Sequence, residues 1–272
     1  MESLAGFSDR LAATERLPTD GTFDPPVVFL HGLACERSQF GPQFAGLDPR
    51  LRLLAIDLPG HGGSPELPPA GRYPRSELAI IADLVAHKLA ERYKESAMVV
   101  GHSAGGLIAI DLAVRYPSLV CKIFVIDTNT ALSSAAREAN ERTFHEAEAN
   151  NWRAAFIQAM TDSWGRDDGA AVEFRNHVFT TIRSTPEHVL RPLWREVLLT
   201  DPTVLWQRCP IPARYIRSRR QTDLATLRAL NPNITTVDLK PHCNGHWPHL
   251  QRPDLLNPLI ESFAAGTHPA DR

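Results

Sequence analysis

The sequence predicts an α/β fold in which a parallel sheet is flanked by helices and carries an inserted helical segment. Three observations support this fold class. Short apolar runs alternate with segments of helical periodicity, which is typical of parallel strands joined by helices. A Gly-x-Ser-x-Gly sequence joins one of these runs to a helix, and the stretch from about residue 128 to 208 has helical periodicity without a strand pattern.

The apolar runs give the predicted strands in chain order. They lie near residues 27–30, 51–56, 98–100, 123–126, 213–216 and 235–239. The clearest helices are predicted over 77–93, where apolar residues recur at helical spacing, and over 104–116, which Pro117 ends. Both helices are expected to pack against the sheet.

The most informative motif is Gly101-His102-Ser103-Ala104-Gly105, which follows the apolar run before it and opens the helix after it. A serine on such a strand-to-helix turn indicates a nucleophile elbow, because flanking glycines tolerate a sharp backbone and the serine Oγ then projects from the end of a sheet. A plain glycine turn between a strand and a helix is the structural alternative.

A second feature lies upstream, where the run over 27–30 ends in His31-Gly32. A loop at this place can bring the Leu33 N–H close to a reacting carbonyl oxygen, with the Ala104 N–H as its partner. Two such donors form an oxyanion hole, which stabilises the negative charge that develops in the transition state.

The sequence resembles the α/β-hydrolase fold family over about residues 27–264. The motifs that carry the resemblance are His31-Gly32, Asp57-x-x-Gly60-x-Gly62-x-Ser64, Gly101-x-Ser103-x-Gly105 and Gly245-His246. The family implies a mostly parallel, doubly wound sheet with helices on both faces, a helical cap after its sixth strand, and a Ser-His-acid triad. It also implies two N-terminal antiparallel strands, for which only about residues 10–17 are available, so we expect them to be short or missing.

We expect a core domain over 1–127 and 209–272, with a helical cap over 128–208. A chain of 272 residues with 43% hydrophobic content can bury a large core. The net charge of -2 argues against nucleic-acid binding. We find neither a membrane-span pattern nor a signal-peptide pattern, which favours the cytoplasm, and we expect a monomer or homodimer. The scattered Cys35, Cys121, Cys209 and Cys243 fit reduced thiols.

The catalytic base must be a histidine near the serine, since a serine hydroxyl is a weak nucleophile until an imidazole takes its proton. His246 follows the last predicted strand and precedes the final helix, where the family places this residue. We expect His102 to shape the elbow or the pocket wall, and His31 and His61 to fix loops. A metal site made by His242, Cys243 and His249 is the disfavoured alternative, and no metal is expected.

The acid of the triad is ambiguous between two aspartates. Asp223 lies near the family's usual position after the strand at 213–216, although slightly late and without the expected Gly-x-x-Asp pattern. Asp127 directly follows the strand at 123–126, where some family members carry the acid, but a polar residue there often only caps a turn. We favour Asp223 and keep Asp127 as the alternative.

Substrate contacts are expected from the loops and from the cap, which holds four of the five tryptophans. The candidates are His31, Gly32, His102, Trp152, Trp164 and Trp247. Aromatic residues at helical spacing are also typical of cores, so each cap residue has that alternative. A basic cluster is formed by Arg214, Arg217, Arg219 and Arg220. It indicates either a solvated loop or a site that binds a substrate carboxylate.

These features predict a serine hydrolase that cleaves a carboxylic ester or lactone of a small to medium, largely apolar substrate without a cofactor. A carbon–carbon bond hydrolase of the same fold is one alternative. A ligand receptor with slow hydrolysis is another, because the fold alone does not specify the activity.

Overall fold

The computed structural model describes residues 4–19, 21, 23–68, 76–131, 133–165 and 172–266. Within these residues, seven strands form one sheet in the order β1-β3-β2-β4-β5-β6-β7. The strands are β1 (Ala13–Arg16), β2 (Phe23–Leu30), β3 (Leu51–Ile56), β4 (Ala97–His102), β5 (Val120–Ile126), β6 (Ala213–Arg217) and β7 (Ile234–Asp238). Only β1 pairs antiparallel, with β3, and every other pairing is parallel.

The helices of the described chain flank this sheet or lie between β5 and β6. They are α1 (Leu4–Asp9), α2 (Gly41–Gly46), α3 (Glu77–Arg92), α4 (Ala104–Arg115), α5 (Ser134–Ala149), α6 (Trp152–Trp164), α7 (Val172–Ser184), α8 (Glu187–Leu199), α9 (Thr203–Arg208), α10 (Leu224–Leu230), α11 (Pro248–Gln251) and α12 (Pro253–Ala264). A 3-10 turn over Arg37–Phe40 precedes α2.

Both faces of the sheet are apolar because helices cover both of them. Successive strand side chains point to opposite faces. In β2, Val28 and Leu30 belong to the core packed by α1, α3 and α4, whereas Val27 and Phe29 belong to the core packed by α12. All four side chains are fully buried. This double burial explains why the segment 27–30 is a continuous apolar run in the sequence.

The predicted doubly wound, mostly parallel sheet is confirmed. Each of the six predicted strands lies within or overlaps an observed one, and the helices predicted over 77–93 and 104–116 end one residue earlier, at Arg92 and Arg115. Of the two antiparallel N-terminal strands that the resemblance implies, the described residues form one, the four-residue β1.

The chain between β5 and β6, which we call the helical insertion (residues 128–208), has only helices among its described residues. Its aromatic core is built by Trp152, Phe156 and Trp194, with Trp152 and Phe156 stacked at 5.3 Å between ring centroids. The insertion also contacts the sheet domain through Glu196, whose carboxylate accepts hydrogen bonds from the first backbone N–H groups of α3. Since those N–H groups have no partner within the helix, Glu196 caps α3.

No helix among the described residues is long and apolar enough to cross a membrane.

Candidate active site

Ser103 lies on the turn between β4 and α4 in a strained backbone conformation. Its φ of 52° and ψ of -117° lie outside the regions that non-glycine residues favour, a departure that costs on the order of 1–3 kcal/mol. The turn is tied down on two sides, because Ser103 N–H donates to Ile126 O at 2.9 Å and Thr128 Oγ1 donates to Ser103 O. The neighbouring strand therefore holds the serine in place.

The two glycines of the motif are required by close backbone contacts. A Cβ on Gly101 would lie 2.3 Å from the Gly105 carbonyl oxygen, and a Cβ on Gly105 would lie 2.2 Å from the Leu30 carbonyl oxygen. Neither space admits a side chain. The Gly-x-Ser-x-Gly pattern thus lets the helix approach the sheet closely enough to form the turn.

His246 lies in the loop between β7 and α11, and this loop is fastened to the helical insertion. Its backbone N–H donates to Ser163 O at 2.8 Å, at the end of α6. Nearby, the Gln251 side-chain amide donates to Trp164 O, also at 2.8 Å. The His246 backbone carbonyl accepts a hydrogen bond from His102 Nε2 at 2.7 Å. The position of His246 therefore depends on both the sheet domain and the insertion.

Asp127 directly follows β5 and is fully buried beside His246. Its Oδ2 lies 2.7 Å from His246 Nδ1. Its Oδ1 accepts three backbone hydrogen bonds, from the N–H groups of Ser218, Arg219 and Arg220, at 2.9 to 3.0 Å. These N–H donors follow β6, so the end of the adjacent strand supplies a cradle for the carboxylate.

The surroundings of this pair keep the aspartate ionised and the histidine neutral. Burial acts to raise the pKa of Asp127, but the hydrogen bond with His246, the charges nearby and the backbone N–H donors lower that pKa to about 2. Burial lowers the pKa of His246 below its usual 6.5, against the opposing effect of Asp127. A neutral imidazole next to a carboxylate is the form that accepts a proton.

Asp223, the acid that the sequence favoured, is not the carboxylate that the structure places beside His246. Asp223 is exposed and begins α10 instead, where its carboxylate accepts hydrogen bonds from Ala225 N–H and Thr226 N–H. A hydrogen bond from the Thr226 hydroxyl, first, and these backbone bonds lower the pKa of Asp223. Asp223 is a helix N-cap, and the alternative candidate Asp127 is the residue beside His246.

Ser103 and His246 line the same cavity, which has a volume of about 320 Å³. Its wall is formed by the loop after β2, by the elbow, by α5, α6 and α8 of the insertion, and by the loops after β6 and β7. The other lining residues are Gly32, Leu33, Cys35, His102, Thr143, Ala159, Met160, Ser163, Trp194, Val197, Leu198, Arg219, Arg220 and Trp247.

Three of the six predicted substrate contacts lie in this wall: Gly32, His102 and Trp247. The structure places the other three elsewhere. Trp152 packs in the aromatic core of the insertion, and Trp164 packs between Phe179 and Trp247. These two large side chains are used for packing.

His31, the third, is buried in the loop after β2 and fastens the backbone. Its Nδ1 donates to Gly32 O and its Nε2 accepts the Leu58 N–H. Burial, first, and the neighbouring His61 lower the pKa of His31 to about 3, so it is neutral. His31 is therefore not among the residues that line the cavity. Its hydrogen bonds are those expected of a residue that fixes a loop.

Sequence reasoning gave no site role to Cys35 and Thr143, and it placed Met160 and Trp194 in the cap without choosing them as substrate contacts, although all four line the cavity. Met160 and Trp164 are four residues apart and share a face of α6, yet only Met160 lines the cavity. Helical spacing shows which residues share a face but not which of them reach a cavity and which pack elsewhere.

Among the described residues, no group of three or more His, Cys, Asp or Glu side chains is arranged to hold a metal ion. The disfavoured metal alternative named His242, Cys243 and His249. The ring of His249 instead packs between His102 and Phe40, with centroids 4.5 and 5.1 Å away, and the buried Cys243 thiol donates to Gln251 Oε1 at 3.5 Å.

Comparison with known proteins adds to this geometry. Residues 27–259 match the model of the alpha/beta hydrolase family. The chain belongs to this family. The resemblance drawn from the sequence motifs is therefore confirmed, and the matched segment spans both halves of the sheet domain and the insertion between them.

A curated relative in Nitrosospira multiformis, named pimeloyl-[acyl-carrier protein] methyl ester esterase, is 33% identical over 256 residues. The match covers 88% of this chain and 94% of the relative. Among solved structures, a hydrolase from Oleispira antarctica has a TM-score of 0.79 at 15% identity, covering 97% of this chain and 98% of that chain. An enol-lactonase from Burkholderia xenovorans has a TM-score of 0.71 at 20% identity, covering 94% and 96%. At these identities the structures establish the shared fold alone.

Proposed function

We propose that the protein is a serine hydrolase that cleaves a carboxylic ester or lactone of a small to medium, largely apolar substrate. The observation that carries this proposal is the arrangement around one cavity. Ser103 on a strained elbow and His246 both line the cavity, and His246 is hydrogen-bonded to the buried Asp127. This set of groups matches the roles that acyl transfer requires.

In the proposed reaction, Ser103 Oγ attacks the substrate carbonyl carbon while His246 Nε2 takes the hydroxyl proton. Nε2 is the nitrogen available for this step because Nδ1 faces Asp127. Asp127 holds the imidazole in the tautomer that presents a lone pair on Nε2 and stabilises the positive charge that develops on the ring.

Negative charge then collects on the carbonyl oxygen. We assign its stabilisation to the backbone N–H groups of Leu33, which lines the cavity, and of Ala104, the first residue of α4. A helix leaves its first N–H groups without partners inside the helix, and such donors favour an anion. His246 next protonates the leaving alcohol, and a water molecule releases the acid from Ser103 by the reverse sequence of proton transfers.

We also propose that residues 128–208 act as a cap over a core domain made of 1–127 and 209–272. The support is that α5, α6 and α8 supply Thr143, Met160 and Trp194 to the cavity wall opposite the elbow. Apolar side chains such as Met160, Trp194 and Val197 fit an apolar acyl or alcohol group. The esterase named among the relatives supports the ester bond as the bond cleaved.

The first test is hydrolysis of short-chain p-nitrophenyl esters and simple lactones by the wild type and Ser103→Ala. We expect turnover with an acyl adduct on Ser103 that mass spectrometry detects, and a loss on the order of 10⁴-fold or more in Ser103→Ala. The exposed Ser118 supplies the matched control, since Ser118→Ala removes a hydroxyl far from the cavity wall.

Equal rates in the wild type and Ser103→Ala would contradict the proposal. If neither protein hydrolyses esters, cleavage of a vinylogous diketone by the wild type would indicate the carbon–carbon hydrolase alternative. Tight ligand binding with turnover far below ordinary enzyme rates would indicate the receptor alternative.

A further inference from the structure

The strand β6 and the loop after it carry four arginines, and the structure gives them different roles. The Arg214 side chain is buried under α12, where its guanidinium carbon lies 4.5 Å from the centre of the Phe263 ring. Arg217 forms an ion pair with Asp238 at the end of β7. Neither residue lines the cavity. Both are engaged with the protein itself.

Arg220 lines the cavity, but both its side chain and its backbone are hydrogen-bonded to Asp127. Its Nε donates to the backbone carbonyl of Asp127 at 2.7 Å, and its backbone N–H donates to Asp127 Oδ1. Its guanidinium is therefore held against the turn after β5, where it supports the aspartate.

Arg219 differs from the other three. It is exposed and lines the cavity, and within the described part of the chain no carboxylate forms an ion pair with its guanidinium. Only its backbone is engaged, through the N–H that donates to Asp127 Oδ1 at 2.9 Å. The side chain is thus free to bind a ligand, while its Cα is fixed relative to His246 by the same carboxylate that orients the imidazole.

The charged side chains that line the described part of the cavity are positive. Among the residues that the structure describes, the lining includes two arginines and no aspartate or glutamate. The nearby Asp127 is fully buried, and its oxygens are taken up by His246 and by three backbone N–H groups. The described part of the wall therefore presents two positive charges beside apolar side chains such as Met160, Trp194 and Leu198.

We propose that Arg219 binds an anionic group of the substrate, a carboxylate or a phosphate, separated by an apolar spacer from the ester that Ser103 attacks. This inference rests on the proposed ester hydrolysis and names its substrate class: monoesters that carry a second, ionised end. A guanidinium suits this role because its planar fork pairs with two oxygens of such a group. Because the Arg219 backbone is fixed to the triad, one spacer length fits better than its neighbours.

The test compares substrates in matched pairs. Monomethyl esters of α,ω-dicarboxylic acids are measured beside methyl alkanoates of the same chain length, with a third series that ends in a phosphate. We expect the wild type to have a kcat/KM about tenfold higher for the anionic member of the best pair, the factor that one charge-assisted hydrogen bond supplies. The series with the larger ratio identifies which anion the site takes.

In Arg219→Ala, the anionic-to-neutral ratio is expected to fall about tenfold, mainly through KM. The Asp127 cradle keeps its donor, because Asp127 accepts from the backbone N–H of residue 219. Arg219→Lys retains the charge without the fork, so we expect an intermediate ratio. The ratio also falls at high salt, since the pair is exposed to solvent.

The matched control is Arg228→Ala, which removes the same charge from an exposed position on α10 and is expected to leave the ratio unchanged. An unchanged ratio in Arg219→Ala, or an equal fall in Arg228→Ala, would overturn the inference. If methyl alkanoates are hydrolysed through Ser103 without any preference for anionic esters, only this inference fails. If no ester is hydrolysed through Ser103, the proposed function itself fails.

Discussion

Two aspartates follow neighbouring parallel strands at the same edge of the sheet, and the structure uses them differently. Asp127 comes directly after β5, has a positive φ of 49°, and is fully buried against His246. Asp223 lies several residues beyond β6, is exposed, and caps α10. An aspartate carboxylate thus binds a histidine in the first turn and caps a helix in the second.

The difference lies in the donors that each turn supplies. Three backbone N–H groups after β6 converge on Asp127 Oδ1, which leaves Oδ2 for His246. The oxygens of Asp223 are used by the first turn of its own helix. The loop after β6 therefore supports Asp127 with its backbone, although its own aspartate side chain caps α10.

The largest effect is expected for Asp127→Asn. An amide N–H₂ facing His246 Nδ1 would favour the tautomer that carries its proton on Nε2, and that nitrogen then cannot accept the proton of Ser103. We expect kcat for a p-nitrophenyl ester to fall roughly 10³- to 10⁴-fold. Circular dichroism and thermal unfolding of the same sample check that the variant is folded. A fall of less than tenfold would remove Asp127 from the proposed triad.

A smaller effect is expected in the pH dependence of kcat/KM, which also distinguishes the roles of Asp127 and Asp223. His246 must be neutral to act as the base, and burial lowers its pKa, so activity is present above that lowered value and is lost as the pH falls through it. We expect the acid limb to lie below 6.5, the usual value for histidine.

Removal of the Asp127 charge should shift this limb further down, since Asp127 raises the pKa of His246. Asp127→Asn should therefore show a lower midpoint in a pH profile of its residual activity, while Asp223→Asn should match the wild type. An acid limb above 6.5, or a shift in Asp223→Asn, would contradict the assignment of the two aspartates.

The smallest effect is expected for Asp223→Ala, and it concerns stability. The loss of an N-cap lowers Tm by roughly 2–4 °C in a protein of this size, while kcat/KM stays within about twofold of the wild type. Asp223→Asn retains a capping side chain and serves as the control, with no change in Tm expected. A large loss of activity in Asp223→Ala at an unchanged Tm would reverse the comparison.

The fold was predictable because the sheet is buried on both faces. Residues 27–30 of β2 and 97–100 of β4 are then continuous apolar runs, and the positions at which they end are visible in the sequence. Ser103 was identifiable because the two glycines of its motif, Gly101 and Gly105, stand where a Cβ does not fit. His246 was placed by its position between the last strand and the C-terminal helices.

The acid was not predictable in the same way, because two aspartates at one sheet edge look equivalent in a sequence. One local signal favoured a different role for Asp223: the sequence Asp223-Leu-Ala-Thr226 opens a helical segment, which is typical of an N-cap. The cavity residues of α6 were equally hidden, since Met160 and Trp164 lie one turn apart on the same face, and which of them reaches the cavity depends on how the insertion packs.

The hydrogen bonds from His246 N–H to Ser163 O and from Gln251 to Trp164 O link the last turn of α6 to the histidine loop. Any movement that lifts α6 away from the sheet domain has to break these bonds or displace His246. In the proposed mechanism, a Ser103 that such a movement exposed to solvent would have no base in position to activate it.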